Sequence, residues 1–303
     1  MWRGTLSTYL KRLALASALA PLGCGNNPFN SPCPTQTVYF MADGNYDVDA
    51  GVGSMLSQPE CAQLCGNPGV QSCTLTQPNQ VACVEVTPCH TGRRPAGLRA
   101  PLVDGDSLGA HFARMAHLEA ASAPAFVRLA GELRVHGAPR ALVASAERAA
   151  LDEQRHARAV GALARRFGAG VPAVVIDEAA ERALDEIAVD NAAEGCVGET
   201  WGALLALEQA RAAGDARVRS AMAAIAEDEA RHAELAFRVA RWADRFLDDE
   251  SRRRVTRARH AAARALAASL AVEPAPPLRE VAGLPSAARA LTLFSSLARD
   301  VWS

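Results

Sequence analysis

The chain has 303 residues, half of them hydrophobic, and a formal net charge of −1. That length can bury a full core and leaves room for one large domain beside a small one. The balanced charge gives no electrostatic reason to expect a nucleic-acid partner. Pro and Gly crowd the first third, whereas the stretch from about Asp106 to Leu270 is rich in Ala, Leu, Glu and Arg, and that shift marks a domain boundary.

The N-terminus reads as an address. Arg3, Lys11 and Arg12 accompany the apolar run Leu13 to Leu22, too short to span a bilayer and suited to an export signal. Leu22-Gly23-Cys24 follows and resembles a bacterial lipoprotein cleavage box, so residues 1–23 are expected to be removed and Cys24 to carry the lipid anchor. Pro21 stands where that box usually has Leu, and a plain soluble signal ending near Ala20 is the alternative. Either way the chain is expected in the bacterial cell envelope, lipid-anchored to the outer membrane or facing the periplasm.

Cysteine usage agrees with export. Cys33, Cys61, Cys65, Cys73, Cys83 and Cys89 lie within one stretch full of Pro, Gly, Asn and Gln. In an oxidising compartment this reads as a disulfide-rich module over residues 24–90, closed by pairs whose connectivity the sequence does not choose. The rival is a zinc site using Cys61-x-x-x-Cys65 and Cys89-His90, although a paired C-x-x-C arrangement is missing. Cys196 is left over among the helices and reads as a buried structural thiol.

After a Pro/Gly/Arg linker over 91–105, long helices are expected over 106–247. Asp106 or Ser107 caps the first and Gly137 stops it; Pro139 sits at the first turn of the second, which runs out near Gly168. Asp177 caps the third, Gly214 ends it, and Asp215 opens the fourth. The short first and third connections imply two antiparallel pairs, the architecture of an all-α four-helix bundle. Residues 248–303 add a basic helix from about Asp249 to Leu270 and a short one after Pro285. The run Arg252, Arg253, Arg254, Arg257 and Arg259 reads as a solvated face, with anionic lipid as the remoter alternative.

Asp-Glu-x-Arg-His-Ala occurs twice, at Asp152–Ala157 and at Asp228–Ala233. On the second helix a stripe spaced by three and four runs Leu142, Ala146, Ala149, Glu153, His156, Val160, Leu163, Phe167; on the fourth it runs Met222, Ile225, Glu229, His232, Ala236, Val239, Ala243, Phe246. In both, Glu and His take core positions. One Glu-x-x-His on such a helix is ordinarily an exposed pair. Two of them in matching core positions point to a divalent cation, because a buried ionised Glu needs a strong positive partner.

A metal pair also needs carboxylates from the other two helices. The first helix has the stripe Leu108, Phe112, Met115, Glu119, Ser122, Phe126, Leu129, Leu133, with Glu119 its only acid. The third offers Glu194 and Glu199, about 140° apart on an α-helix. Glu194 falls with Ile187, Val197, Trp201 and Leu204, and Glu199 with the small residues Ala192, Ala203 and Ala206. We take Glu194 as the ligand, with Glu199 the alternative because Glu199 and Glu229 are nearly equidistant from the Gly214 turn.

The set Glu119, Glu153-x-x-His156, Glu194 and Glu229-x-x-His232 resembles the ferritin-like di-iron carboxylate superfamily, which includes rubrerythrin and bacterioferritin, over roughly residues 106 to 247. The resemblance implies that Glu153 and Glu229 bridge two metals, that Glu119 and His156 complete one, and that Glu194 and His232 complete the other. It also implies that Asp152 and Asp228 hold the imidazoles from outside the ligand shell. Their bland alternative is a solvated helix-face acid.

Four carboxylates and two imidazoles suit two iron ions, or manganese, with positions open for dioxygen or peroxide. Tyrosine occurs only at Tyr9, Tyr39 and Tyr46, so the helices hold none for a radical, and no double C-x-x-C module supplies electrons. Trp201 reads as a packed core residue. Three functions are carried forward. They are an envelope di-metal oxidase, peroxidase or oxygenase acting on dioxygen, peroxide or a small molecule; iron oxidation or sequestration without an organic substrate; and a lipid-anchored interaction scaffold with a vestigial site.

Overall fold

The computed structural model describes residues 6–16, 35–41, 52–57, 60–61, 64, 70–77, 80–86, 93–95, 97–99, 107–177 and 181–302. The chain divides into two units, one of residues 27–89 with 265–269 and one of the remainder.

The smaller unit carries a sheet that the cysteine pattern did not announce. Strands β1 (Thr35–Met41), β2 (Val70–Gln77) and β3 (Gln80–Val86) pair antiparallel in the order β1-β3-β2. The two sequential strands β2 and β3 are paired out to Gln77 and Gln80. Leu56, Cys61, Cys73, Leu75 and Val81 form a small core, and Cys61 is disulfide-bonded to Cys73. So few apolar side chains close only a small core, and the covalent link adds what the packing lacks. That bond withdraws Cys61 from the zinc alternative. Cys24, Cys33, Cys65 and Cys89 and the Cys83 side chain fall outside the described residues.

In the larger unit α2 (Leu108–Val135) and α3 (Arg140–Arg166) fold back on one another through a four-residue connection. Ser107 caps α2, its hydroxyl accepting from the Ala110 N–H. Gly137 turns the chain with φ 71°, a conformation that side-chain-bearing residues avoid, and Pro139 immediately precedes α3. Asp215 caps α6 (Ala216–Ala243) by accepting from the N–H groups of Arg217 and Val218. Phe246, expected to end the apolar stripe, lies beyond α6 and is 64% exposed, because the helix stops at Ala243.

The third long helix departs most from expectation. Asp177 does not cap it: its carboxylate pairs with Arg99 at 2.7 Å, and the helix begins only at Leu184, where the Glu186 carboxylate accepts from the Ala183 N–H. It then runs as α4 (Leu184–Asp190), a π-helix over Asn191–Glu199, and α5 (Thr200–Ala212). Gly214 ends the segment where a Cβ would meet the Glu280 carbonyl at 2.5 Å.

Apolar side chains fill both ends of this unit. Phe126, Leu129 and Leu133 meet Leu142, Leu235 and Val239 at one end, and Phe112, Val160, Leu163, Met222 and Ile225 gather at the other. Each fully buried side chain of this size contributes about 1.5–3 kcal/mol. Between the two apolar layers lies a polar one, which holds the candidate ligands.

The remaining elements are α7 (Asp249–Ser269), α8 (Pro276–Glu280) and α9 (Ala287–Asp300). The buried Glu208 on α5 holds α9 through Arg289 at 2.6 Å, and the Trp302 indole N–H donates to the Cys196 carbonyl at 2.8 Å. Helix α1 (Leu6–Ala16) buries Leu6, Leu10 and Ala14 and packs on α5, α6 and α9, with Tyr9 donating to Asp300 at 2.7 Å. Both faces of the third helical segment are therefore covered. No helix among the described residues is long and apolar enough to cross a membrane. In the basic run of α7, Arg252 and Arg254 pair with Asp249 and Asp185.

Candidate metal centre

Helix α3 places Glu153 and His156 one turn apart on its buried face, and α6 does the same for Glu229 and His232. Glu119 reaches the same layer from α2, and Glu199, fully buried, from the last turn of the π-helix. Ligand atoms of Glu119, Glu153, His156 and Glu229 lie within 4.8 Å of one another, as do those of Glu153, Glu199, Glu229 and His232. The two groups share Glu153 and Glu229.

Each imidazole turns Nδ1 inward. His156 Nδ1 is 3.3 Å from Glu119 Oε2 and 3.3 Å from Glu229 Oε1; His232 Nδ1 is 3.0 Å from Glu153 Oε1 and 3.9 Å from Glu199 Oε2. These approaches lack hydrogen-bond geometry. Both His Nδ1 atoms, both oxygens of Glu153 and of Glu199, and one of Glu229 are buried without a hydrogen-bond partner. Buried polar atoms are ordinarily satisfied, so convergent orphans of this type fit a cation-binding cavity.

The outer nitrogens are held crosswise. His156 Nε2 lies 3.0 Å from Asp228 on the opposite helix, and His232 Nε2 lies 3.4 Å from Asp152. A carboxylate accepts, so each Nε2 carries a proton, and Nδ1 is the nitrogen that would bind a cation. Arg155 bonds Asp152 at 2.6 Å and Asp228 at 3.1 Å, and Arg231 bonds the same two acids. The repeated hexapeptide thus builds a closed ring. Its Asp holds the other helix's His, its Arg neutralises both Asp residues, and its Glu and His face inward.

Electrostatics of the protein without metal follow from crowding. Burial and then the neighbouring Glu119 push the Glu153 carboxyl up; burial and then Glu229 hold Glu199 well above the usual carboxylate range. Burial alone would lower both imidazoles, but the carboxylates outweigh it. Asp228 and Glu119 raise His156, and Asp152 and Glu153 raise His232 to about 9. Asp152 and Asp228 are held low despite burial by the histidines and arginines that bond them. Without metal, the cluster stores protons that a cation would displace.

The chain matches no known protein family, no curated protein and no solved structure.

Glu194 is absent from both groups. Its Oε2 accepts from the Arg94 N–H at 3.1 Å, and burial, with Asp190 nearby, lifts its pKa to about 7. The physical reason is the π-helix. Hydrogen bonding from i to i+5 widens the turn and re-phases everything beyond it, so an α-helical angle drawn from Ile187 favours Glu194, whereas it is Glu199 that stands beside His232. Burial could not have corrected this, because Val197, Trp201 and Leu204 on one side and Ala203 and Ala206 on the other are all covered.

On the carboxylate side, Glu119 and Glu229 border a cavity of about 10 Å³ walled by Met115, Leu205, Ala206 and Ile225. A space of that size holds about one water molecule. Trp201 is a buried core residue and Cys196 a buried free thiol whose pKa burial raises to about 11. Sequence reasoning missed Arg93, a buried guanidinium beside the π-helix, because nothing in a linker of Pro, Gly and Arg marks one arginine as internal.

Proposed function

We propose that the helical unit is a ferritin-like four-helix bundle that binds two iron or manganese ions and performs redox chemistry on dioxygen or peroxide. The observation that carries the reading is the pair of buried ligand groups sharing Glu153 and Glu229. In this assignment Glu153 and Glu229 would be shared by both ions, Glu119 and His156 would complete one subsite, and Glu199 and His232 the other. All are hard oxygen or imidazole donors, a set that suits these metals. Such ions, when bound, would supply Lewis acidity and one-electron redox chemistry toward dioxygen or peroxide. Asp228 and Asp152 keep the Nε2 protons and orient the rings, while Arg155 and Arg231 hold both acids ionised. The space bordering Glu119 and Glu229 holds about one water molecule, which is room for a small oxidant.

Elemental analysis after anaerobic iron loading tests this, with about two ions per chain expected. Catalytic consumption of peroxide or dioxygen then supports an enzyme, and a single stoichiometric turnover supports iron handling. A chain that takes up no iron or manganese sinks both, and the scaffold reading replaces them.

We also propose export to the cell envelope with a lipid on Cys24, on the strength of the basic-apolar leader and Leu22-Gly23-Cys24. Removal of residues 1–23 would strip α1 from α5, α6 and α9 and uncover the surface that Leu6 and Leu10 bury. Mass spectrometry of the native protein is expected to find lipidated Cys24 as its first residue; an intact Met1 or an unlipidated Cys24 defeats the proposal.

A further inference from the structure

Residues 93–95 and 97–99 lie against the helical unit as a strap. Its far end is fixed to the connection before α4. Leu98 bridges Ile176, the Arg99 N–H donates to the Val175 carbonyl at 3.0 Å, and the Asp177 N–H donates to the Gly97 carbonyl at 3.0 Å. Its near end enters the core, where Arg93 is 3% exposed. The guanidinium donates to Asn191 Oδ1 at 2.9 Å, pairs with Asp190 at 3.4 Å and lies over the Phe126 ring, 5.2 Å from its centroid. Phe126 in turn packs on the His232 ring at 5.0 Å.

A buried cation is costly unless it is paired, and here Asp190, Asn191 and the Phe126 ring face the guanidinium. Asn191, the first residue of the π-helix, accepts from Arg93 and donates from Nδ2 to the Ala236 carbonyl of α6 at 2.9 Å. The next residue of the strap, Arg94, donates its backbone N–H to Glu194. Gly195, in the middle of the π-helix, leaves the space a side chain would fill. A Cβ there would stand 2.6 Å from Arg93 Nη2, 2.7 Å from Ala236 Cβ and 2.8 Å from Asn191 Oδ1. The guanidinium therefore occupies room that exists only because residue 195 is glycine and the turn is widened. A π-turn is intrinsically less favourable than the α-turn it replaces, and such turns need side chains that stabilise them.

We infer that Arg93 is the positioning residue that holds the π-helix, and through it the Glu199 carboxylate, in register with the second metal subsite. The inference rests on the di-metal reading for what Glu199 binds, but not for what Arg93 holds. Removing the guanidinium lets the segment relax toward α-helical phase, which turns Glu199 away while leaving Glu119, Glu153, His156 and Glu229 in place on regular α-helices. The strap acts on one subsite only.

The test uses Arg93→Ala, Arg93→Lys and Gly195→Ala in the full chain, with Co²⁺ as the probe and amide hydrogen exchange of the metal-free protein as a second readout. Wild type is expected to bind about two Co²⁺, and Arg93→Ala to keep one and weaken the other by on the order of 100-fold, with millimolar guanidinium restoring it. Amides of 195–200 should exchange faster in Arg93→Ala and Gly195→Ala, while those of α3 stay protected. Arg93→Lys, which keeps the charge without the planar fork, should fall between. Equal weakening of both subsites, or unchanged exchange over 195–200 in every variant that folds, overturns the inference. A wild type that takes up no Co²⁺ defeats the metal reading, and hydrogen exchange then decides the role of Arg93 by itself.

Discussion

Replacing Glu153 or Glu229 with alanine is expected to remove both metal ions together. Each of these acids belongs to both ligand groups, so one truncation takes a donor from each subsite. Glu199→Ala should act on one ion alone, weakening it by more than about 100-fold, since Glu199 belongs only to the group with His232. Glu194→Ala should cost much less than Glu199→Ala, because Glu194 stands outside either group and touches the site only through the strap. The bridge variants should also retain wild-type helix content without metal. Both Glu153 oxygens lack a partner in the metal-free cluster, so deleting them removes a desolvated group without breaking a hydrogen bond. Metal titrations of the four variants check the pattern. Independent loss of single ions from Glu153→Ala and Glu229→Ala would sink the shared-bridge assignment.

How much of this was legible in the sequence follows the regularity of the backbone. On α2, α3 and α6 the periodicity of 3.6 residues per turn holds throughout, so stripes drawn by counting put Glu119, Glu153, His156, Glu229 and His232 in one layer, where the structure has them. The Asp215 cap was readable from a short polar side chain before an apolar stripe, and Ser107 is one of the two caps the sequence offered, Asp106 lying outside the described residues. The same signal misled at Asp177, whose carboxylate goes to Arg99. The third helical segment defeated counting. Its start is displaced from Asp177 to Leu184 by the Arg99 pair and the bridge to Leu98, both contacts with residues far back in the chain. The π-turn depends on Arg93, which comes from farther still. Gly195 was the available signal, a glycine inside a helix next to two candidate acids, and a close backbone approach is its usual meaning. The crosswise pairing of Asp152 with His232 and of Asp228 with His156 needs the relative rotation of α3 and α6, which no single-helix pattern encodes. In the small unit the cysteine spacing suggested disulfides, and Cys61–Cys73 is one, but it hid the strands.

The metal-free protein is expected to be most stable in mildly acidic solution and to lose stability as pH rises toward 9, with bound metal reversing that slope. The folded state raises His156 above the ordinary imidazole value of 6.5 and lifts His232 to about 9, so it retains protons that the unfolded chain releases. Their contribution is complete below the unfolded value and lost as pH climbs through the folded one. Glu153 and Glu199 act in the same direction from a lower starting point. Their folded pKa values lie above the ordinary 4.5, so ionising them in place becomes an increasing burden above that pH. The opposing groups are Asp152 and Asp228, held below the ordinary 3.8, whose contribution is present above that value and lost on acidification. The two sets leave a maximum on the acid side of neutrality. A divalent ion displaces the stored protons and supplies the missing positive charge, so its affinity should increase with pH. At 100 times its dissociation constant it adds about 2.7 kcal/mol of stability. Thermal unfolding of metal-free and Mn²⁺-loaded protein across pH 5 to about 9 reads both curves. A metal-free melting temperature that stays level or rises across that range would show that the buried Glu and His residues carry no stored protons, and with them would go the account of the cluster as a cation site held ready by its own crowding.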